Sequence, residues 1–403
     1  MRHSVNEGRP PSDPAPQSDA ELLARYSPYL QYDSLESFRA DSAATLPESF
    51  FDDGSNWRYT NTLKHGGGKV IAAAKPAQGQ QQLDLAFLGR RYPGGIAAKR
   101  SDFLDEAGKR YIEDARRMHA DPRYADRIYG HAVRDAAGNI WLQYYFSYYY
   151  NDKSFFGIGL HEGDWEMIQL RLGADGLPDA ATFAQHNTGQ ALKWSEVELR
   201  NSPEGKVPVV YVGRGSHASF ATKGEHFPLP LPQPDYADGK GPRIRPALDL
   251  ISDAGPSWAL WPGKWGSSDS SPRGPSTKKQ WHQPAAFHQE VSERIALEEV
   301  APEARPPAPP APKLEVHRVQ DQFIVDYSFP RLRAEAARPE RIVVSVDTPD
   351  DDIPPSTYAY TVRAPTGVIA HPARLEDGRY LVRAVAYSED GVQSRTVTVE
   401  PGS

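Results

Sequence analysis

The chain has no cysteine among its 403 residues. That absence excludes a disulfide scaffold, a thiolate zinc site and a cysteine nucleophile. Long apolar runs are missing as well: nothing approaches the roughly 18 consecutive apolar residues of a membrane-spanning helix. The opening stretch Met1-Arg2-His3-Ser4-Val5-Asn6-Glu7-Gly8-Arg9-Pro10-Pro11 lacks the apolar centre of a secretory signal. A cytoplasmic location is the default expectation, with export by a signal-less route as the alternative. Excess positive charge is absent too. The net charge is −7 and the pI about 6.0, which argues against a nucleic-acid groove, since holding phosphates needs a basic face.

What is present is length enough for two or three domains and a substantial core. Residues 1–18 are polar and Pro-rich and read as disordered. The stretch Phe103–Met118 shows a helical period, with Leu104, Tyr111, Ala115 and Met118 near one face. In Ile140–Tyr150, seven of eleven residues are aromatic, a density that fits a sandwich-core strand better than a stacking platform. Phe227–Lys279 is rich in proline, glycine and serine yet carries Trp258, Trp261 and Trp265. It reads either as an ordered flap or as a plug of the sandwich.

The richest stretch chemically is Gly159-Leu160-His161-Glu162-Gly163-Asp164-Trp165-Glu166-Met167-Ile168-Gln169-Leu170. Past Gly163, strand alternation puts Asp164 and Glu166 on one face, followed by Ile168 and Leu170. His161 lies in a glycine-flanked turn that can aim its imidazole back at the two carboxylates. Neighbouring carboxylates repel and raise each other's pKa, which a bound cation would relieve. This oxygen-rich set suits a hard divalent cation (Mg, Ca or Mn); a Zn site would want more histidine. The plain alternative is a strand end with solvated charges. Two more histidines follow short apolar runs: His186 after Ala181–Ala184, within Gln185-His186-Asn187, and His217 after Val207–Val212, within Gly213-Arg214-Gly215-Ser216-His217-Ala218-Ser219-Phe220. Strand ends on one rim of a sandwich meet in space. His217 is therefore expected within about 8 Å of Asp164 or Glu166, close enough for direct or one-water contact. The competing reading has His217 capping its own turn. Ser216 and His217 form no triad, because adjacent strand residues point apart.

In order, the aromatic strand with Asn151-Asp152, the His161–Glu166 motif, Gln185-His186 and Tyr211–Ser219 resemble the vacuolar-sorting-associated family of fungi, plants and bacteria. Tyr26–Asp33, Gly263-Lys264-Trp265-Gly266, Gly274-Pro275 and Trp281 extend the resemblance over roughly residues 20–290. That family largely lacks an assigned activity. The core His161-x-x-Asp164-Trp165-Glu166 also resembles the signature of necrosis- and ethylene-inducing-like proteins, secreted β-sandwich cytolysins that bind a divalent cation beside a sphingolipid headgroup site. That resemblance implies His161, Asp164 and Glu166 as metal-associated residues, with Asp152 standing for a further upstream aspartate at a somewhat different separation. The cytolysins are shorter, disulfide-bearing and carry secretion signals, so the resemblance supports a metal site more than a cytolytic activity.

Residues 301–312 form a polyproline spacer that few contacts should cross. Beyond it, strand-like runs at Leu314–Val316, Phe323–Tyr327, Ile342–Val346, Tyr358–Val362, Tyr380–Tyr387 and Thr396–Val399 give the pattern of a small sandwich. The run Leu375–Ala384 resembles the tyrosine-corner region of fibronectin type III modules, with Tyr380 in a structural role. The expected architecture is mainly β: a large β-sandwich domain over 19–300 with long loops and a few helices, and a fibronectin type III-like sandwich over 313–403. Three functions follow: a cation-dependent binding or toxin-like effector protein that recognises an anionic lipid or sugar headgroup; a metal-dependent hydrolase with His217 or His186 as general base or electrophile; or a non-catalytic adaptor in trafficking.

Overall fold

A computed structural model describes residues 18–52, 57–153, 159–186, 188–226, 234–298, 308–319, 322–331, 337–347, 356–372, 379–388 and 392–401. Strands hold 43% of the chain and helices 14%, which makes it mainly β, as expected. Most of residues 1–18, Asn187, the first part of the tryptophan loop, residues 301–307 and most of the Tyr380 approach lie outside the described set.

Two sheets face each other across the main core. The larger has six strands in the order Thr188–Lys193, Pro178–Gln185, His161–Leu172, Ile140–Asn151, Arg127–Arg134 and Ala247–Leu250. The second is built on Gly205–Val212, flanked by Leu199–Ser202 and by Tyr29–Gln31, which runs parallel to it. Period-two alternation decides what lies between them. Leu142, Tyr144, Phe146 and Tyr148 pair with Leu170, Ile168, Glu166 and Asp164 respectively, and they share one core with Leu30, Val210 and Val212 of the second sheet.

The other face of the six-stranded sheet is covered by the tryptophan segment. Trp165 packs with Trp258 and Trp265, while Trp281 stacks on His131 at 3.7 Å. All four tryptophans are buried within the core cluster. Of the two readings of this loop, the plug describes what the rings do. Burying several rings of this size contributes a few kcal/mol each and fixes a segment otherwise poor in regular structure.

The stretch Phe103–Met118 is not one helix. Phe103–Asp105 is a strand pairing with Thr62–Lys64, and the helix runs Tyr111–His119. Between them the buried Glu106 carboxylate accepts the N–H groups of Gly108 (2.7 Å) and Lys109, and Lys109 takes φ 54°. That turn stops a helical period that composition alone would have let run. The helix Pro284–Glu298, which the sequence reading did not mark, packs Phe287 against the core cluster and buries Val291.

The C-terminal unit has a three-stranded and a four-stranded antiparallel sheet around a core that includes Phe323, Val325, Ile342, Val344, Val382, Ala384 and Ala386. The strand Thr366–Pro372, unmarked in the sequence, completes the smaller sheet beside Gln322–Ser328. Contrary to the expectation of few contacts, this unit docks firmly. Leu35 and Tyr236 pack with Val385, Tyr387 and Val343, Gln393 N–H donates to the Tyr236 hydroxyl at 2.8 Å, and the Tyr358 hydroxyl donates to Glu113 at 2.7 Å.

Candidate functional site

The motif strand begins at His161, paired with Asn151, rather than after Gly163. Gly163 is required where it stands: it has φ 59°, and a Cβ there would lie 2.4 Å from the Trp265 carbonyl oxygen. The strand then carries Asp164 and Glu166 to the inner face, 5% and 8% exposed. His161 turns its Nδ1 to the Gly163 carbonyl at 2.8 Å, so a contact with its own backbone orients the ring.

His217 meets the motif from the opposite sheet. The turn after Val212 closes through His217 N–H donating to Gly213 O at 2.8 Å, with His217 at φ 55°. The side chain is fully enclosed. Its Nδ1 is 2.9 Å from Asp164 Oδ2, and its Nε2 is 3.5 Å from Glu36 Oε1, within ion-pair range but longer than a hydrogen bond. Tyr148 stacks on the ring at 4.0 Å and 7°, and Phe38 meets it edge-on. Burial opposes protonation, but Glu36 and Asp164 outweigh it and raise the imidazole pKa to about 10. His217 is therefore an imidazolium between two carboxylates. Burial raises the Asp164 pKa, yet the His217 hydrogen bond and the charges of His161 and His217 bring it below its ordinary value. Glu166 goes the other way: burial first, then the Asp164 charge, hold its carboxyl well above the ordinary range.

Asp152 comes to the same loop, its N–H donating to Gly215 O at 3.2 Å. Burial, then the Glu36 charge, raises its carboxyl to about 6. Its side chain faces a cavity of about 70 Å³ between the two units, shared with Arg214 and Arg341. His186, with φ 50°, joins a neighbouring node instead. Its Nε2 is 2.7 Å from Asp235 Oδ2, and the fully buried Asp235 also accepts from Ser216 Oγ at 2.7 Å and from Lys153. The Lys153 charge and the His186 hydrogen bond hold Asp235 well below the usual carboxylate range despite its burial.

The same loop fastens the C-terminal unit. Arg214 forms a buried bidentate pair with Asp33 at 2.8 and 3.0 Å, and its Nη1 donates to Tyr387 Oη (2.8 Å) and Gln393 Oε1 (2.7 Å). Sequence reading missed Glu36, Asp235, Asp33 and Lys153. Glu36 and Asp33 sit in a nearly pattern-free coil that is almost wholly buried, and a long charged-residue-bearing buried coil has no periodic signal. Ser216 does bond a carboxylate, which belongs to Asp235 and not to a histidine, so it forms no nucleophilic triad.

No three of His161, Asp164, Glu166 and Asp152 bring their ligand atoms within 4.8 Å of one another. Among the described residues, Asp41, His119 and Asp126 do. There His119 Nδ1 sits 2.8 Å from Asp41, with the Arg39 guanidinium 3.4 Å from Nε2, so a cation already stands beside the set. The chemistry around the motif differs. Glu166 has no hydrogen-bond partner among the described residues, and Asp164 accepts from His217 and from Trp165 N–H at 2.9 Å.

No helix among the described residues is long and apolar enough to cross a membrane. Among solved structures, a superoxide reductase from Nanoarchaeum equitans matches at 10% identity over 24% of this chain and 95% of that chain, with a TM-score of 0.18, too low to carry an argument. In sequence, the chain is 26% identical over 187 residues to TDA6 of Saccharomyces cerevisiae, named as a candidate vacuolar protein sorting-associated protein, covering 36% of this chain and 40% of that one. It is 27% identical over 179 residues to vacuolar protein sorting-associated protein 62 of the same yeast, covering 35% and 38%. The chain thus spans well under half the length of these relatives. Residues 149–228 match the family described as vacuolar protein sorting-associated protein 62, so the segment carrying Asp152, the motif strand, His186 and the His217 loop is the part of this chain that is similar to the vacuolar-sorting family.

Proposed function

We propose that this chain is a non-catalytic binding protein of the trafficking-adaptor kind that recognises an anionic lipid or sugar headgroup. The observation that supports this most is the placement of His217. It is fully buried, both ring nitrogens face carboxylates, and as an imidazolium it has no lone pair to take a proton from water or to hold a metal. A hydrolase that used His217 as its general base would need that lone pair. The names of the yeast relatives point to sorting rather than to a reaction, and the C-terminal sandwich, read as fibronectin type III-like, serves as the docking unit. Asp164 and Glu166 lie in the interior, so headgroup contact is made elsewhere on the surface.

A cation-dependent version rests on its own observation: the buried Glu166 carboxylate has no described hydrogen-bond partner and lies one strand step from Asp164. Those two residues would hold a hard divalent cation, which would neutralise their repulsion and pin the motif strand. Co-sedimentation of the full chain with phosphatidylcholine vesicles, with and without added phosphatidate, and with calcium or EDTA, tests both versions. Binding that needs phosphatidate supports the adaptor reading, and loss of that binding in EDTA supports the cation. Equal failure on both vesicles would overturn headgroup recognition.

A further inference from the structure

A cavity of about 220 Å³ opens beside the strand end that carries His186, between the strand Thr188–Lys193 and the helix Pro284–Glu298. Ala184, Phe287 and Val291 make the lining apolar on one part; His186, Lys278, Lys279 and Glu290 make it polar on the rest. Lys279 is neutralised by Glu290 at 2.8 Å. Lys278 forms no ion pair among the described residues, although its charge is felt at Asp164 and Glu166. His186 is held from behind: Nε2 is committed to the enclosed Asp235 carboxylate at 2.7 Å, and the ring is about a quarter exposed. Among the described residues, its Nδ1 has no hydrogen-bond partner. Its backbone stands in the left-handed region at φ 50°, a conformation that non-glycine residues keep only where the surroundings impose it. Here the buried Asp235–Ser216–Lys153 node imposes it.

We infer that this cavity binds a phosphomonoester group, with Lys278 supplying the charge and His186 a hydrogen bond fixed in direction by Asp235. This rests on the headgroup reading above and gives it a place. An ammonium with no ion pair among the described residues, beside an imidazole whose Nε2 is already committed to Asp235, matches an oxyanion: the ring's second nitrogen is the one left to bond a phosphoryl oxygen. The net positive lining excludes a cationic ligand, and the apolar part takes the carbon attached to the ester oxygen.

Calorimetric titration of the full chain with inorganic phosphate, repeated on Lys278→Ala and His186→Asn, tests the site. Lys278 is partly exposed, Asn tolerates the left-handed backbone at 186, and Asp235 keeps Ser216 and Lys153 as partners, so both variants are expected to fold; an unchanged thermal midpoint checks this. Each variant is expected to weaken phosphate binding roughly tenfold, and phosphate is expected to move the His186 ring resonances of the parent. Wild-type affinity in both variants, or no phosphate binding by the parent, overturns the site. The source is then separated with vesicles. If phosphatidate vesicles bind and Lys278→Ala abolishes the binding, the group is presented by a lipid; if phosphate binds but vesicles do not, the ligand is a free phosphomonoester. If vesicles bind equally to Lys278→Ala, the headgroup reading stands and this cavity is not its site.

Discussion

The two sandwiches of this molecule solve the same packing problem with opposite materials. The C-terminal core is mainly aliphatic and aromatic, with a few neutral polar groups such as Ser345 and Thr357 and the buried His371 among them, whereas the larger domain encloses Asp33, Glu36, Asp164, Glu166, Arg214 and His217 at the rim of its core. Apolar burial is forgiving: a smaller side chain loses contacts in proportion to the atoms removed. Buried charge is unforgiving, since an intact pair contributes little net stability but a broken one leaves a bare charge in a poor solvent for it. The difference shows where this fold insists on one arrangement. The C-terminal unit needs its shape filled, whereas the rim needs its particular partners.

Removing the central partner gives the largest effect. His217→Asn leaves Asp164 and Glu36 facing each other without their imidazolium and is expected to lower stability by about 3–5 kcal/mol, read by urea unfolding. A loss under about 1 kcal/mol would mean the rim tolerates change as the apolar core does.

The same contrast has a pH signature. His217 binds its proton more tightly folded than unfolded, so its contribution is complete below its ordinary value of 6.5 and is lost as pH rises towards about 10. Glu166, whose carboxyl burial and the Asp164 charge push well above its ordinary value, acts in the same direction above that value. Asp164, shifted down, contributes above its ordinary value and loses that contribution as pH falls below it. The thermal midpoint should therefore fall by several degrees between roughly neutral pH and pH 10, and His217→Asn should flatten that fall. A flat parent profile on the alkaline side would contradict the imidazolium assignment.

Limited proteolysis asks whether the units separate. Cleavage is expected between residues 300 and 313, releasing a folded C-terminal fragment. Arg214→Ala should speed that cleavage, because the guanidinium joins Asp33 to Tyr387 and Gln393.

Trimming the apolar core is milder. Ile342→Val, at a position with no exposure, should cost about 0.5–1.5 kcal/mol. The smallest effect is expected at Glu166. Since the fold already favours the neutral carboxyl, Glu166→Gln should change stability by less than about 0.5 kcal/mol in EDTA. The same change should abolish any rise in thermal midpoint with calcium; a rise that survives both Glu166→Gln and Asp164→Asn would remove these carboxylates from cation binding.

Much of this was legible from alternation and punctuation. The aromatic run set the inner face of the large sheet, and the placing of His217 near Asp164 followed from strand ends sharing a rim. Partners without a pattern around them could not be read: Glu36 and Asp33 come from coil, and Asp235 opens a strand of only three residues, Asp235–Ala237, so only three-dimensional closure brings them to the histidines. The helix boundary failed at Gly108 and Lys109 because a side-chain carboxylate, not a periodic signal, decided it. The roles of His161 and Asp152 had to wait for the fold as well, since one orients on its own backbone and the other faces the cleft between units.

Arg214 and His217 stand three residues apart on one tight turn, and each grips a different part of the molecule. Mechanically, that turn is a single bracket bolted at both ends. A pull on the C-terminal unit is carried past the polyproline tether and into the strand bearing Asp164, so the joint between the domains and the ionic rim share one fastening and yield together.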